Sequence, residues 1–111
     1  MKQPKETLLV SACLVWLRMQ GCKVWKNNVG GMAIHQIGRR SRFVRFGEPG
    51  LPDIIGIAKN GRFVGIECKR KPNKLTEHQI RFLDSARSMG AWAIYVYSVD
   101  ELEEAWKREF V

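Results

Sequence analysis

The chain has no apolar run long enough to cross a bilayer, and no C-x-x-C pair among its three cysteines, Cys13, Cys22 and Cys68. The first absence excludes a helical span, which needs about 20 consecutive apolar residues. The second comes with an odd cysteine count and no cysteine–histidine clustering. Together they argue against a disulfide framework and a cysteine zinc site, and they predict reduced thiols in a cytosolic compartment. Leu8 to Leu17 is amphipathic without a small-residue cleavage site, so a signal peptide is not expected. Acidic residues are in short supply: 11 against 19 lysines and arginines, a net charge of +8. Such an excess speaks of partners rather than of fold. It suits a polyanion, nucleic acid being the commonest, with an acidic membrane surface as the competing reading. Repeats and low-complexity segments are absent. With 111 residues, 45% of them apolar, the chain is expected to form one domain, 1–111, with a substantial core.

Glu6 to Gln20 reads as a helix with two apolar stripes, Leu9, Cys13, Trp16, Leu17 and Leu8, Ala12, Val15, Met19, so burial over a wide arc is expected. Gly21 supplies its stop. Glu6 lies in the first turn, where the helix dipole favours a carboxylate. Cys22 to Lys26 follows as a short strand. Asn27 to Gly38, with three glycines and two asparagines, reads as loop; His35 in it is best explained as a solvated side chain. Arg39, Arg40, Arg42 and Arg45 then occur without an intervening acid, with Phe43 and Phe46 interleaved. This run is either a solvated basic strand edge or, as the overall charge favours, a flank contacting phosphates, with aromatics that anchor it in the core in preference to stacking on unpaired bases.

The densest pattern is Gly50-Leu51-Pro52-Asp53 through Gly65-Ile66-Glu67-Cys68-Lys69. It reads as two apolar strands joined by a turn at Asn60-Gly61. Residues two apart on a strand share a face about 6–7 Å apart, so Glu67 and Lys69 point the same way. Charges at the ends of apolar strands cost free energy unless paired or liganded, and adjacent carboxylates repel unless a cation lies between them. A hard divalent metal beside a lysine satisfies both conditions; a structural salt-bridge cluster is the alternative. The loop decides the geometry. A two-residue loop would set Asp53 opposite Cys68, facing away from Glu67. A three-residue loop, Lys59-Asn60-Gly61 with Gly61 left-handed, sets Asp53 opposite Glu67. The chemistry therefore predicts the bulged three-residue loop.

Arg70-Lys71-Pro72-Asn73-Lys74 leaves the sheet as a basic loop. Thr76 and Gln79 form a capping box for a helix reaching about Met89, with Gln79, Phe82, Leu83, Ala86 and Met89 on one face. Gly90 ends it. His78 at its exposed start is given no catalytic role. Trp92 to Tyr97 reads as a buried strand. Ser98 and Glu101 read as a second capping box, before a last helix with Leu102, Ala105, Trp106 and Phe110 inward and Asp100, Glu103 and Glu104 outward.

Pro52-Asp53, a spacer of thirteen residues and Glu67-Cys68-Lys69 resemble the PD-(D/E)XK nuclease superfamily. The helix carrying Glu6, Val24-Trp25-Lys26-Asn27-Asn28 with Gly30-Gly31, and Leu75-Thr76 leading to Gln79 and Phe82-Leu83 extend the likeness. The whole set is similar to the VRR-NUC (virus-type replication-repair nuclease) family from Glu6 to Trp92. The resemblance implies an α/β fold: a restriction-endonuclease-like core, a central mixed β-sheet flanked by helices in αβββαβ order, plus a C-terminal helix. It implies Asp53, Glu67, Lys69 and Gln79 as catalytic residues. It also implies a metal site of Asp53, Glu67, the Cys68 peptide carbonyl and Glu6, taking Mg²⁺ or Mn²⁺. Lys69 would orient water and stabilise transition-state charge. Arg39, Arg40, Arg42, Arg45, Arg70, Lys71 and Lys74 would contact DNA.

The expected function is metal-dependent DNA endonuclease cleavage, structure-specific on branched DNA in the manner of a Holliday-junction resolvase, by a homodimer whose interface the sequence does not identify. A bacterial or phage-infected cytoplasm is implied by the family alone. A non-catalytic nucleic-acid-binding module of the same fold, and a restriction-type nuclease, are the alternatives.

Overall fold

Pro4 opens the first helix, a position where its missing N–H costs nothing and its fixed φ suits the turn. The structure is a computed structural model that describes residues 4–27, 31–34, 38, 42–45 and 50–111, with 31–34 and 42–45 described by backbone alone. The elements are α1 (Pro4–Met19), β1 (Lys23–Lys26), β2 (Gly31–Ile34), β3 (Arg42–Arg45), β4 (Ile54–Ile57), β5 (Phe63–Cys68), α2 (Glu77–Ser88), β6 (Trp92–Val96) and α3 (Val99–Phe110). Four strands form a mixed sheet in the order β1-β4-β5-β6. β1 and β5 flank β4 antiparallel, and β6 joins β5 parallel after the α2 crossover. The expected α/β order is therefore present, with one addition. β2 and β3 pair antiparallel as a separate two-stranded sheet, where the sequence reading had a loop for Asn27 to Gly38. The glycine-rich composition hid a strand that carries only four residues.

The β4–β5 hairpin has the predicted loop. Ala58 N–H donates to the Arg62 carbonyl and Gly61 N–H to the Ala58 carbonyl, both at 2.9 Å. These bonds close a three-residue loop with Gly61 at φ +84°, a conformation that costs other residues about 1–2 kcal/mol. Ile54 pairs with Ile66 and Ile57 with Phe63. One further step in this register sets Asp53 opposite Glu67.

Alternation along β5 divides its residues between two faces. Val64, Ile66 and Cys68 join Ile54 and Val24 against Val10, Cys13, Leu14 and Leu17 of α1 and Leu102 of α3. Each fully buried Leu or Ile here contributes roughly 1.5–3 kcal/mol. An aromatic cluster extends this core. Trp106 packs edge-on against Trp16 and Trp92, with centroids 5.8 and 5.6 Å away, and stacks on Phe110 at 4.2 Å. α2 packs on β6 on the opposite face and buries Leu83. Gly21 at φ +89° closes α1: its N–H donates to Arg18 and that of Cys22 to Leu17.

Several local expectations need correction. Only the first α1 stripe enters the core. Leu8, Val15 and Met19 of the second are 70%, 59% and 75% exposed, because the sheet covers one side of the helix only. Met89 caps α2 from outside and is exposed. β6 is an edge strand, and Tyr95 is exposed rather than buried. At α3, Ser98 Oγ accepts from Glu101 N–H as expected, but the Glu101 carboxylate accepts from Tyr97 N–H, one residue before the cap. Among the described residues, no helix is long and apolar enough to cross a membrane.

Candidate active site

Asp53 is set by the turn into β4 and by its neighbour across the sheet. Asn27, one residue past β1, donates its N–H to the Asp53 carbonyl at 2.7 Å and its Nδ2 to the Pro52 carbonyl at 3.2 Å. This clamp holds the backbone and leaves the Asp53 side chain aimed at β5. There Asp53 Oδ2 accepts the Cys68 N–H at 2.8 Å. Asp53 thus reaches the peptide group between Glu67 and Lys69, the two residues whose side chains share its face.

Glu67 is held from above the sheet. Gln79 Nε2 donates to Glu67 Oε2 at 2.6 Å. The same amide supplies Oε1 to the Thr76 N–H at 2.9 Å, while Thr76 Oγ1 accepts from Gln79 N–H. The capping box and the contact to Glu67 are thus one device: starting α2 at Thr76 fixes the amide that orients the carboxylate. A hydrogen bond to an ionised acceptor is among the stronger ones a protein makes.

Glu6 reaches the same end of the sheet from α1, its Oε2 accepting the Arg70 N–H at 3.0 Å. Lys69, which precedes Arg70, is tied to the edge strand by its own N–H, donated to the Val96 carbonyl at 2.9 Å. Glu6, Asp53, Glu67 and Lys69 are 4%, 8%, 2% and 8% exposed, and they are the buried charged side chains among the described residues. Carboxylates outnumber the ammonium three to one in this group, a donor set whose burial favours a cation.

Among the described residues, no three His, Cys, Asp or Glu side chains converge as a metal cage. Glu6, expected as a further ligand, is therefore not brought into one group with Asp53 and Glu67; the two remaining carboxylates match what Mg²⁺ usually takes before water and phosphate oxygens complete its shell. The Cys68 thiol is no part of it. It lies on the opposite face against Cys13, and the hydrogen bond between the two thiols, then burial, hold Cys68 far above the usual thiol pKa.

Arg70, Lys71 and Lys74 are exposed on the loop that leaves the site. Arg42 and Arg45 lie on the backbone of β3. Arg39, Arg40 and His35 lie outside the described residues. His78 is exposed, as expected. Sequence reasoning missed two contributions. Asn27 was noted in a motif but not as the clamp on Pro52 and Asp53, since side-chain-to-backbone bonds leave no periodic signal. Tyr95 was assigned to the core, although it pairs with Glu67 across the parallel β5–β6 ladder.

Comparison with known proteins agrees with this geometry at the level of fold. No family profile and no curated protein matches the chain. A solved structure described as a VRR_NUC domain superposes with a TM-score of 0.66 at 21% identity, covering 98% of this chain and 100% of that one. The chain therefore has the fold of a VRR-NUC domain, a nuclease-type α/β fold, as its sequence motifs led one to expect.

Proposed function

We propose that the protein is a VRR-NUC-type, metal-dependent DNA endonuclease that hydrolyses phosphodiester bonds, with branched DNA as its preferred substrate. The observation that carries this reading is the hairpin register: it places Asp53 opposite Glu67 and beside Lys69, with Gln79 bonded to Glu67. Asp53, Glu67 and the Cys68 carbonyl would hold Mg²⁺ or Mn²⁺, while Glu6 stands outside that ligand group and holds the Arg70 backbone. Such an ion polarises the scissile phosphate and lowers the pKa of bound water. Lys69 orients the attacking water and offsets charge developing on the phosphate. Gln79 fixes the Glu67 carboxylate, and Asn27 fixes the backbone of Asp53. Arg70, Lys71 and Lys74 bind the DNA backbone beside the cut, and Arg39, Arg40, Arg42 and Arg45 bind its flank.

Paired nicking of a junction calls for two symmetric sites. The exposed stripe Leu8, Val15 and Met19 supports a homodimer through α1. A helix apolar on both sides is normally covered on both, and two antiparallel copies of one stripe match each other. Val15→Glu would then give a folded monomer in analytical ultracentrifugation. Three reduced, buried thiols suit the cytoplasm of a bacterial or phage-infected cell.

The direct test incubates the protein with a labelled four-way junction and the matching linear duplex, with Mg²⁺ or Mn²⁺ supplied or chelated. Metal-dependent nicking of the junction, absent in Lys69→Ala and weak on duplex, is the expected result. Equal cutting of both substrates removes the junction preference. Salt-sensitive binding without cutting in either metal overturns the nuclease reading in favour of a binding module.

A further inference from the structure

Beside the site, on the neighbouring strand, lies a group that the proposed chemistry leaves unused. Tyr95 pairs with Glu67 in the parallel ladder. In that ladder paired residues share a face, and neighbouring strands are about 4.8 Å apart. Lys69 N–H bonds to the Val96 carbonyl, which continues the ladder and brings Tyr97 alongside Lys69. Reading across the sheet from β4 to β6, the face therefore carries Asp53, Glu67 and Tyr95, with Lys69 and Tyr97 one step further along.

Both rings are built to be presented. Tyr95 is 44% exposed, although it lies on a strand whose other side is core. The rings meet edge to face with centroids 6.0 Å apart. Tyr97 Oη donates to the Asn73 carbonyl at 2.9 Å, and Lys71 Nζ lies 5.4 Å from the Tyr97 ring centroid. The second ring is thus tied to the basic loop that leaves the site. The pair forms one wall of an open cavity of about 490 Å³, with Leu75, Ile80 and Leu83 opposite and Lys74 and Arg87 at its rim. The one acid in the lining, Asp84, is paired with Arg87 at 3.5 Å.

We infer that Tyr95 and Tyr97 are a stacking platform for unpaired nucleobases of the DNA, next to the point of cleavage. The inference rests on the nuclease reading and names the substrate feature that this site would select: single-stranded bases at a branch point or flap. A base offers two apolar faces to the groove, and its phosphate offers a negative charge to Lys71 and Lys74. Stacking of this kind accepts any base, because every base has a π face. A chain with net charge +8 and a basic rim around an aromatic groove matches that ligand in charge as well as shape. A paired duplex does not, since its bases are already stacked on each other.

The test measures binding in EDTA, so that it needs no cutting. Fluorescence anisotropy compares a labelled duplex with the same duplex carrying a single-stranded flap, and a 2-aminopurine in the flap reports stacking. Tyr95→Ala is expected to weaken flap binding by about 5- to 100-fold while leaving duplex binding within about twofold. It should also abolish the change in 2-aminopurine fluorescence. Tyr95→Phe keeps the ring and should bind as the wild type. Tyr97→Phe, which loses only the bond to Asn73, should retain most of the fluorescence change. Unaltered flap binding by Tyr95→Ala overturns the proposal. So does a shift of Tyr95→Ala from dimer to monomer in analytical ultracentrifugation with no loss specific to the flap, since the groove would then be an interface between copies. Lys69→Ala separates the two readings: it should lose cutting and keep Tyr95-dependent binding. If the wild type never cuts but the Tyr95 effect holds, the nuclease reading fails and the platform stands.

Discussion

Replacing Gln79 by methionine tests the device that joins the α2 cap to the candidate site. The substitution keeps length and volume nearly constant, so no large cavity term enters. It removes two bonds: the one Gln79 Oε1 accepts from Thr76 N–H, and the one Nε2 donates to Glu67 Oε2 at 2.6 Å. The first is half of a capping box at an exposed helix start, worth about 0.5–1 kcal/mol. The second is a hydrogen bond to a carboxylate that is 2% exposed, and such bonds are worth roughly 1.5–3 kcal/mol. The sum is a loss of about 2–4 kcal/mol. Thr76→Ala removes only the other half of the box, the bond from Gln79 N–H, and should cost about 1 kcal/mol. Urea denaturation at neutral pH, with unchanged m-values, gives both numbers. The corresponding falls in Tm are roughly 8–16 °C and 4 °C for a domain of this size. If Gln79→Met costs no more than Thr76→Ala, the bond to Glu67 contributes nothing, and the idea that the cap orients the carboxylate is wrong.

Two further outcomes follow from the same structure. Gly61 has φ +84°, and a Cβ built there meets nothing within 4 Å, so Gly61→Val isolates the backbone cost: about 2 kcal/mol or slightly more by urea denaturation, with Gly61→Asn losing less. Burial raises the Cys22 thiol pKa, offset in part by Lys59. Below the unfolded value of about 8.5 both states hold the proton. Above it the unfolded chain releases the proton first, so stability falls as pH rises. Wild type should lose stability between about pH 8 and 10 more steeply than Cys22→Ala; parallel curves would refute the burial argument.

The parts of this fold that were legible in sequence are those where local chemistry and geometry constrain each other. The hairpin register could be chosen because Asp53 had to face Glu67, and only the longer loop with a glycine at its third position allowed that. The Thr76–Gln79 box was legible because its spacing is fixed by one turn of helix. What could not be read depends on long-range placement. Periodicity showed two apolar stripes on α1, but nothing local says that the sheet covers Leu9, Cys13 and Leu17 and leaves Leu8, Val15 and Met19 outside. The same limit hid Tyr95: a run of Trp-Ala-Ile-Tyr-Val-Tyr reads as buried unless one knows that β6 is an edge strand. The four-residue β2 was concealed by the glycines around it.

The sequence Glu67-Cys68-Lys69 gains its meaning from the two faces of β5. The outer positions carry charge toward the site. The middle one turns its side chain into the core, where Cys68 is fully buried against Cys13. Its peptide N–H remains at the site and binds Asp53. The middle residue therefore answers two separate demands. Its side chain must be small and apolar enough to pack under α1, which a thiol kept protonated by its hydrogen bond with Cys13 and by burial satisfies. Its backbone must lie where β4 and β5 still run side by side, which the three-residue loop secures. This explains why a residue with reactive chemistry of its own can occupy the centre of a charged motif without entering it: the strand's period of two places the sulfur on the side where only packing is asked of it.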